Sequence, residues 1–418
     1  MGMMFPGFGI KATGKGNLHR LSNDFGRCRY VEPPSGYRSD IRARRLENLH
    51  RPLIDKMKEC VILAAFCMAL ATTVGSSLRA QTLAPNLAPL VRLAPPFTAN
   101  KLSILASLRQ KNFTGLDSEF DQYQQAFEKT PAAELNEKLA FDSFATDDPS
   151  VGDLIEEWII ARPNSFAAHM AMGSYFSWRG WHTRGPAFAD DTQAAQFEKM
   201  NKFFAQSDTE TRLALKIKPR LSIAYAVLLG EARGESNHAI HQSLEGDALR
   251  ELPASFVIRE EVMKSRYPRW GGDHETMADF AQQSQAFVKE NPLLHWLLGF
   301  IDADEGETQG ISGQLDQSIV TLTRAIQKGG DYSGFYFIRG ESYVHSSSFE
   351  KGLEDFNRAN ELFPQDPELL ILRADVLARL GRPKEVLADL QFVNVFEAPN
   401  ADSNQLHDWA VKASREQH

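Results

Sequence analysis

YFIRGESYVHSSSFEKGLEDFNRANELFP, residues 336–364, is followed by a looser copy of itself 34 residues further along the chain. Tyr336, Ile338, Arg339, Gly340, Tyr343, Gly352, Leu353, Asp355, Phe356 and Ala359 fall on Leu370, Leu372, Arg373, Ala374, Leu377, Val386, Leu387, Asp389, Leu390 and Val393. Size, polarity or identity is kept at each step, which is the mark of a repeated structural unit. One unit earlier, Ser318, Ile319, Leu322 and Ala325 precede Gly352, Leu353, Phe356 and Ala359 by the same offset, so the second half of the unit occurs three times. Small residues at Gly340, Gly352 and Ala359 let two antiparallel helices approach closely, and Tyr343 and Phe356 fill the space between them. Pro364 stops the second helix. One such hairpin cannot bury its apolar face alone, so hairpins must stack in series and the last needs a cap.

This arrangement resembles the tetratricopeptide repeat, whose slots are taken here by Tyr336, Gly340, Tyr343, Gly352, Phe356, Ala359 and Pro364. The resemblance implies an all-α, right-handed solenoid of stacked helix hairpins over residues 293–400. Residues 401–418 suit a capping helix, with Leu406, Trp409, Ala410 and Ala413 turned inward. Helical spacing continues upstream: Phe120, Tyr123 and Phe127 share one face, as do Leu154, Trp158 and Ile159, and no long run alternates with period two. Looser repeat copies are read at Pro163 with His169, Met172, Gly173 and Phe176, and at Ala214 with Pro219. Residues 180–193 read as an insertion between them.

The N-terminal part follows other rules. CVILAAFCMALA, residues 60–71, comes after Met57 and Lys58 and before the small residues Thr72, Thr73, Gly75, Ser76 and Ser77, which is the layout of a secretory signal peptide over residues 57–81. A dozen apolar residues are too few for a bilayer core about 30 Å thick. Residues 1–56 then read as an upstream mis-start or a disordered basic leader. Residues 82–100, with Pro85, Pro89, Pro95 and Pro96, read as a tether, and a helical domain is expected over residues 101–292. Cys28, Cys60 and Cys67 all precede the expected cleavage near Ser77 or Ala80, so the exported chain would carry no thiol. The whole sequence has a formal charge of -8, and residues 82–418 alone carry about 15 more acids than bases. Nucleic acid and anionic lipid are poor partners for such a chain, and stable membrane insertion of the mature part is not expected.

Two phrases in the middle do not follow from repeat packing: SYFSWRGWHTRG, residues 174–185, and YPRWGG, residues 267–272. With the spacing around them they are similar to an uncharacterised bacterial domain-of-unknown-function family over residues 116–291, a resemblance that implies a helical fold and no activity. If the phrases meet in space, Trp178, Arg179, Trp181, His182 and Arg184 with Arg269, Trp270 and His274 offer guanidinium and indole groups for an anion or a sugar. The plainer reading makes the tryptophans core and the arginines helix caps or partners of acids at an irregular helix junction.

Other constellations are weaker. His238 and His241 with Glu235 have helical spacing for a shared metal but no third ligand. Asp302, Asp304, Glu305 and Glu307 read as a solvated acidic loop, with Gly306 one place short of where a calcium-binding loop needs it. The sequence holds no Gly-x-Ser-x-Gly, phosphate-binding Gly-rich loop or His-Glu-x-x-His, and no cofactor is implied. In repeat register the first helices would line a concave groove with Phe337, Glu341, Val344 and His345 beside Ile371, Asp375, Ala378 and Arg379. Glu341 and Asp375 would repel an acidic tail, so the expected partner is a basic or apolar protein segment. The leading expectation is a non-catalytic periplasmic or secreted adaptor. A small-ligand binder or enzyme built on the Trp and Arg phrases is the alternative.

Overall fold

The computed structural model describes residues 94–186 and 189–416. The expected signal peptide, the leader before it and most of the tether lie outside these residues. Among the described residues there are seventeen α-helices and no strand. The fold is all-α, built largely of helices paired with their neighbours in the chain. No helix among them is long and apolar enough to cross a membrane.

Four helices come first: α1 (Lys101–Arg109), α2 (Phe113–Lys129), α3 (Glu134–Phe141) and α4 (Pro149–Ala161). Their starts are written in the sequence, because Asn100 accepts a hydrogen bond from the Ser103 amide and Asp148, directly before Pro149, accepts one from Ser150. Helix pairs follow: α5 (Phe166–Arg184) with α6 (Ala194–Ile217), then α7 (Ser222–Gly234) with α8 (His238–Glu251). Next come α9 (Phe256–Ser265), a turn of 3₁₀-helix at Pro268–Trp270, α10 (His274–Ser284) and a longer 3₁₀ run, Pro292–Gly299. The last hairpins are α11 (Phe300–Ile311) with α12 (Leu315–Gly329), α13 (Ser333–His345) with α14 (Phe349–Leu362), and α15 (Pro367–Arg379) with α16 (Pro383–Phe396). Helix α17 (Ala401–Glu416) ends the described chain.

The 34-residue register is physical. A Cβ built on Gly306 would lie 2.6 Å from Leu322, and one on Gly340 would lie 2.7 Å from the Phe356 ring. These are the same contact one repeat apart, and Ala374 with Leu390 takes the next step. Charge repeats with it. Arg339 donates to both oxygens of Asp355 at 2.8 and 2.7 Å and reaches back to Thr323 Oγ1 at 3.1 Å. Arg373 donates to both oxygens of Asp389 at 2.8 and 2.6 Å and reaches back to Asn357 Oδ1 at 3.2 Å. Each guanidinium thus closes its own hairpin and pins the outer helix of the hairpin before it.

Gly340→Val pushes two methyl groups into Phe356 and is expected to lower the unfolding free energy by about 2–3 kcal/mol. Gly246 on α8 has nothing within 4 Å of its virtual Cβ. Gly246→Ala should therefore raise it by about 1 kcal/mol. Urea unfolding of both variants checks the opposite signs.

The array closes on itself. Residues 94–100 form neither helix nor strand, yet they are packed: Asn136 Oδ1 accepts from the amides of Thr98 at 2.6 Å and Ala99 at 3.2 Å. The Lys101 amide donates to Gln365 Oε1 at 2.8 Å, Phe97 meets Phe363 edge-on at 5.4 Å, and Thr146 Oγ1 donates to the Phe396 carbonyl at 2.7 Å. Gln365 has φ +63°, a conformation few side chains adopt, held where its amide can reach residues 99–101.

Three sequence expectations change. The acidic stretch from Asp302 to Glu307 lies within α11, with Asp302, Asp304 and Glu307 buried. Residues 174–184 continue α5 without interruption, so the first Trp phrase is helix rather than an irregular junction. On α17, Ala410 is buried and Leu406 packs on the core, but Trp409 is 36% exposed.

Candidate functional site

Helix α5 starts where Ser165 caps it through the Ala168 amide, and its nineteen residues carry Trp181 and Arg184 to the far end. There they meet the second phrase. Trp181 lies edge-on to Trp270 with ring centroids 6.3 Å apart, and edge-on to Phe204 of α6 at 5.4 Å. The Arg233 guanidinium from α7 lies beside both indoles, 5.2 Å from Trp181 and 4.7 Å from Trp270. Arg184 lies 5.7 Å from Trp270 and 5.7 Å from Phe197. Burial, with Arg233 close by, lowers the Arg184 pKa to about 10. The two phrases do come together, as an edge-on indole pair with Arg184 and Arg233 packed against the rings.

From Arg233 a chain of charges runs on. Arg233 donates to Glu261 at 2.9 Å, Lys264 joins Glu261 at 2.8 Å and Glu260 at 2.9 Å, and Tyr332 donates its hydroxyl to Glu260 at 2.7 Å. Burial pushes the Glu261 carboxyl up, but Lys264 and Arg233 outweigh it and hold it at about 2. Arg269, whose side chain is 2% exposed, sits 2.9 Å from Glu307 and 3.4 Å from Asp304, and His274 reaches the other oxygen of Asp304 at 2.9 Å. The second phrase is therefore bolted to α11, and the acids of α11 are ion-pair partners. Sequence reasoning singled out neither Arg233 nor Glu261, since nothing in their local spacing marks them.

The remaining candidates divide. Trp178 stacks on the exposed His182 at 4.6 Å. His241 is buried 3.9 Å from Glu245, while His238 is exposed at the start of α8. No group of three or more metal-binding side chains occurs among the described residues. In the expected groove, Phe337 and Ile371 are buried at 5% and 3% and belong to the core. Glu341, Val344, Asp375, Ala378 and Arg379 are half-buried and His345 is exposed. Asp375 is held by Arg379 at 2.9 Å, which neutralises part of the acid field expected there.

Two buried acids stand apart. Glu134 at the start of α3 accepts from Ser255 Oγ at 2.5 Å, the Phe256 amide at 2.6 Å and Asn291 at 2.8 Å, so it caps α9 from a distant helix; burial nevertheless raises its pKa to about 7. Glu137, fully buried, has no hydrogen-bond partner among the described residues, and burial followed by Glu134 and Glu128 raises its pKa well above the usual carboxylate range. A raised native pKa means the native state holds a proton that the unfolded chain has released. The stabilisation is whole below the unfolded value near 4.5 and fades as pH climbs through the native one. The protein should lose thermal stability between pH 5 and pH 8, and Glu137→Gln should melt like wild type at pH 5 and higher than wild type at pH 8. Melting curves at the two pH values check it, each kcal/mol relieved being worth roughly 2–4 °C.

Residues 101–233 match the family model for a domain of unknown function, DUF4034. That span takes in the first Trp phrase and ends at Arg233, while the second phrase lies beyond it; the span expected from sequence, residues 116–291, starts later and runs further. A comparison with curated proteins returned no match. Among solved structures, the chain is similar to PilW, a widely conserved type IV pilus biogenesis factor, at 14% identity and a TM-score of 0.30, over 49% of this chain and 91% of that one. Yeast Tom70 gives 12% identity and 0.36, over 68% and 61%. Human IFIT1 gives 12% identity and 0.29, over 78% and 74%.

Proposed function

We propose that this chain is a non-catalytic interaction scaffold, exported to a periplasmic or extracellular setting, that holds a basic or apolar segment of a protein partner. The observation that carries it is the strip Glu341, Val344, His345 on α13 beside Asp375, Ala378, Arg379 on α15. The repeat register sets these positions side by side, and all six stay at least partly open to solvent while their neighbours are core. Short apolar side chains between charged ones suit an extended segment whose basic groups meet Glu341 and Asp375. Export rests on the apolar run at residues 60–71, outside the described residues, and on a downstream chain without cysteine.

An array of peptides graded from basic through neutral to acidic tests the groove. Wild type should retain basic and apolar sequences, and Glu341→Lys with Asp375→Lys should lose the basic ones. Retention of the same peptides by both proteins would remove the groove from the account. The meeting of Trp181 and Trp270 favours the second reading, a small-ligand site. Since Arg233 and Arg184 already pack against these rings, that reading is left with its outward side, around Trp178, Arg179 and His182.

A further inference from the structure

Arg179 is placed unlike Arg162, Arg212 and Arg233 near it. Arg162 is bound to Asp117 at 2.7 Å, Arg212 to Asp208 at 2.9 Å and Arg233 to Glu261 at 2.9 Å, as expected in a chain with excess acid. Arg179 has no carboxylate within 4 Å among the described residues. Its guanidinium is instead held between two rings, 5.3 Å from Tyr175 on its own helix and 4.8 Å from Phe203 on α6. Nη1 donates to the Tyr175 hydroxyl at 2.6 Å. Tyr175 is itself buried, and Gly152 of α4 presses against its ring. The fork is thus fixed in orientation while the side chain stays half-exposed.

Its surroundings repeat the theme. Phe176 stacks on Phe203 at 6.3 Å and 24°, and both rings are half-exposed. Lys199, exposed and without an ion-pair partner among the described residues, lies one helical turn before Phe203 and so on the same face of α6. The nearest acid on that turn, Glu198, is already taken by Lys202 at 2.8 Å. A rigid guanidinium, a second cation and two half-exposed aromatic rings form a patch on an acidic protein, bounded on the α4 side by Asp148 and Asp153, whose charges reach Tyr175. Aromatic and arginine side chains anchored in this way are the groups that carry binding energy at protein interfaces.

We infer that Arg179, Lys199, Phe176 and Phe203 form a docking surface for an acidic segment of a protein partner. A carboxylate of that segment takes the free edge of the Arg179 fork, and a neighbouring aromatic or aliphatic side chain lies against Phe176 and Phe203. The planar fork accepts a carboxylate through paired hydrogen bonds, which a lysine at the same place cannot reproduce. This surface rests on the scaffold reading only in that both call for a protein partner. It lies on the first long hairpin and has the opposite charge preference to the strip on α13 and α15.

Isothermal titration of the whole chain with two peptides tests it, acetyl-Gly-Phe-Asp-Phe-Gly-amide and the same peptide with Asn in place of Asp. The Asp peptide should bind at least tenfold more tightly, and more weakly as salt is raised. Arg179→Lys should cost at least tenfold while Lys199→Gln, on an exposed side chain, costs two- to fivefold. Glu341→Lys with Asp375→Lys should change nothing here, so failure of the groove and failure of this patch are read separately. Equal binding of the two peptides, no binding of either at millimolar concentration, or full affinity in both Arg179→Lys and Lys199→Gln would overturn the assignment.

Discussion

Trp158→Ala is expected to lower the unfolding free energy by about 3–5 kcal/mol, the range for emptying a fully buried indole site. Trp158 is 0% exposed and lies 6.1 Å from Phe120, 6.3 Å from Phe144 and 6.3 Å from Phe113, where it stacks nearly parallel. Its Nε1 donates to Asp117 at 3.0 Å, and the same carboxylate accepts from Ser165, which caps α5, at 2.5 Å and from Arg162 at 2.7 Å. Truncation therefore opens a cavity among α2, α4 and the turn at residues 142–144 and loosens the acid that organises the start of α5. Trp158→Phe keeps one ring but loses the hydrogen bond and the rest of the indole volume, so its cost should be smaller, about 2–3 kcal/mol. Urea titration of the three proteins separates the packing part from the polar part.

Arg339→Ala comes next, at about 2–4 kcal/mol. Its side chain is 16% exposed and that of Asp355 8%, so breaking the pair strands a largely buried carboxylate; the remaining exposure places the cost at the lower part of the usual range for a broken buried pair. Asp355→Ala should cost about as much, and the double variant clearly less than the sum, since either change alone already destroys the interaction. Because Arg373 and Asp389 reproduce the geometry 34 residues later, the same cycle there should return a coupling of similar size. Arg339→Ala combined with Arg373→Ala should be close to additive. Additivity within the Arg339–Asp355 pair would mean that the two-pronged contact contributes nothing to the fold.

What could be read in advance follows from the reach of each interaction. Contacts within one repeat recur at fixed spacing, so the close approach at Gly340 and Phe356 is legible as a pattern; Arg339 and Asp355 recur as Arg373 and Asp389, but only the structure pairs them. Helix α11 was misread because Asp302, Asp304 and Glu307 are chosen by partners far along the chain, Arg324 and Lys328 for the first and Arg269 for the other two. Without those partners the segment has the composition of a solvated loop, although Gly306 already stood in the repeat slot. The closure of the array was illegible for the same reason: Gln365 meets residues 99–101 across more than 260 positions, and no local rule marks it. At the candidate site, sequence showed that Trp181 and Trp270 were unusual. It did not show that Arg233 packs against both, because a single arginine at the end of a helix carries no distinguishing signal.

Consecutive hairpins lean on one another in series, and the N-terminal segment closes the series onto its end. Hydrogen exchange read by mass spectrometry on Arg373→Ala tests it most directly. Exchange should quicken in α15 and α16, in α14 through the lost Asn357 contact, and in residues 94–101, with α5 to α8 unchanged. Acceleration spread evenly over the whole chain, or confined to α15 and α16 with α14 and residues 94–101 silent, would contradict it.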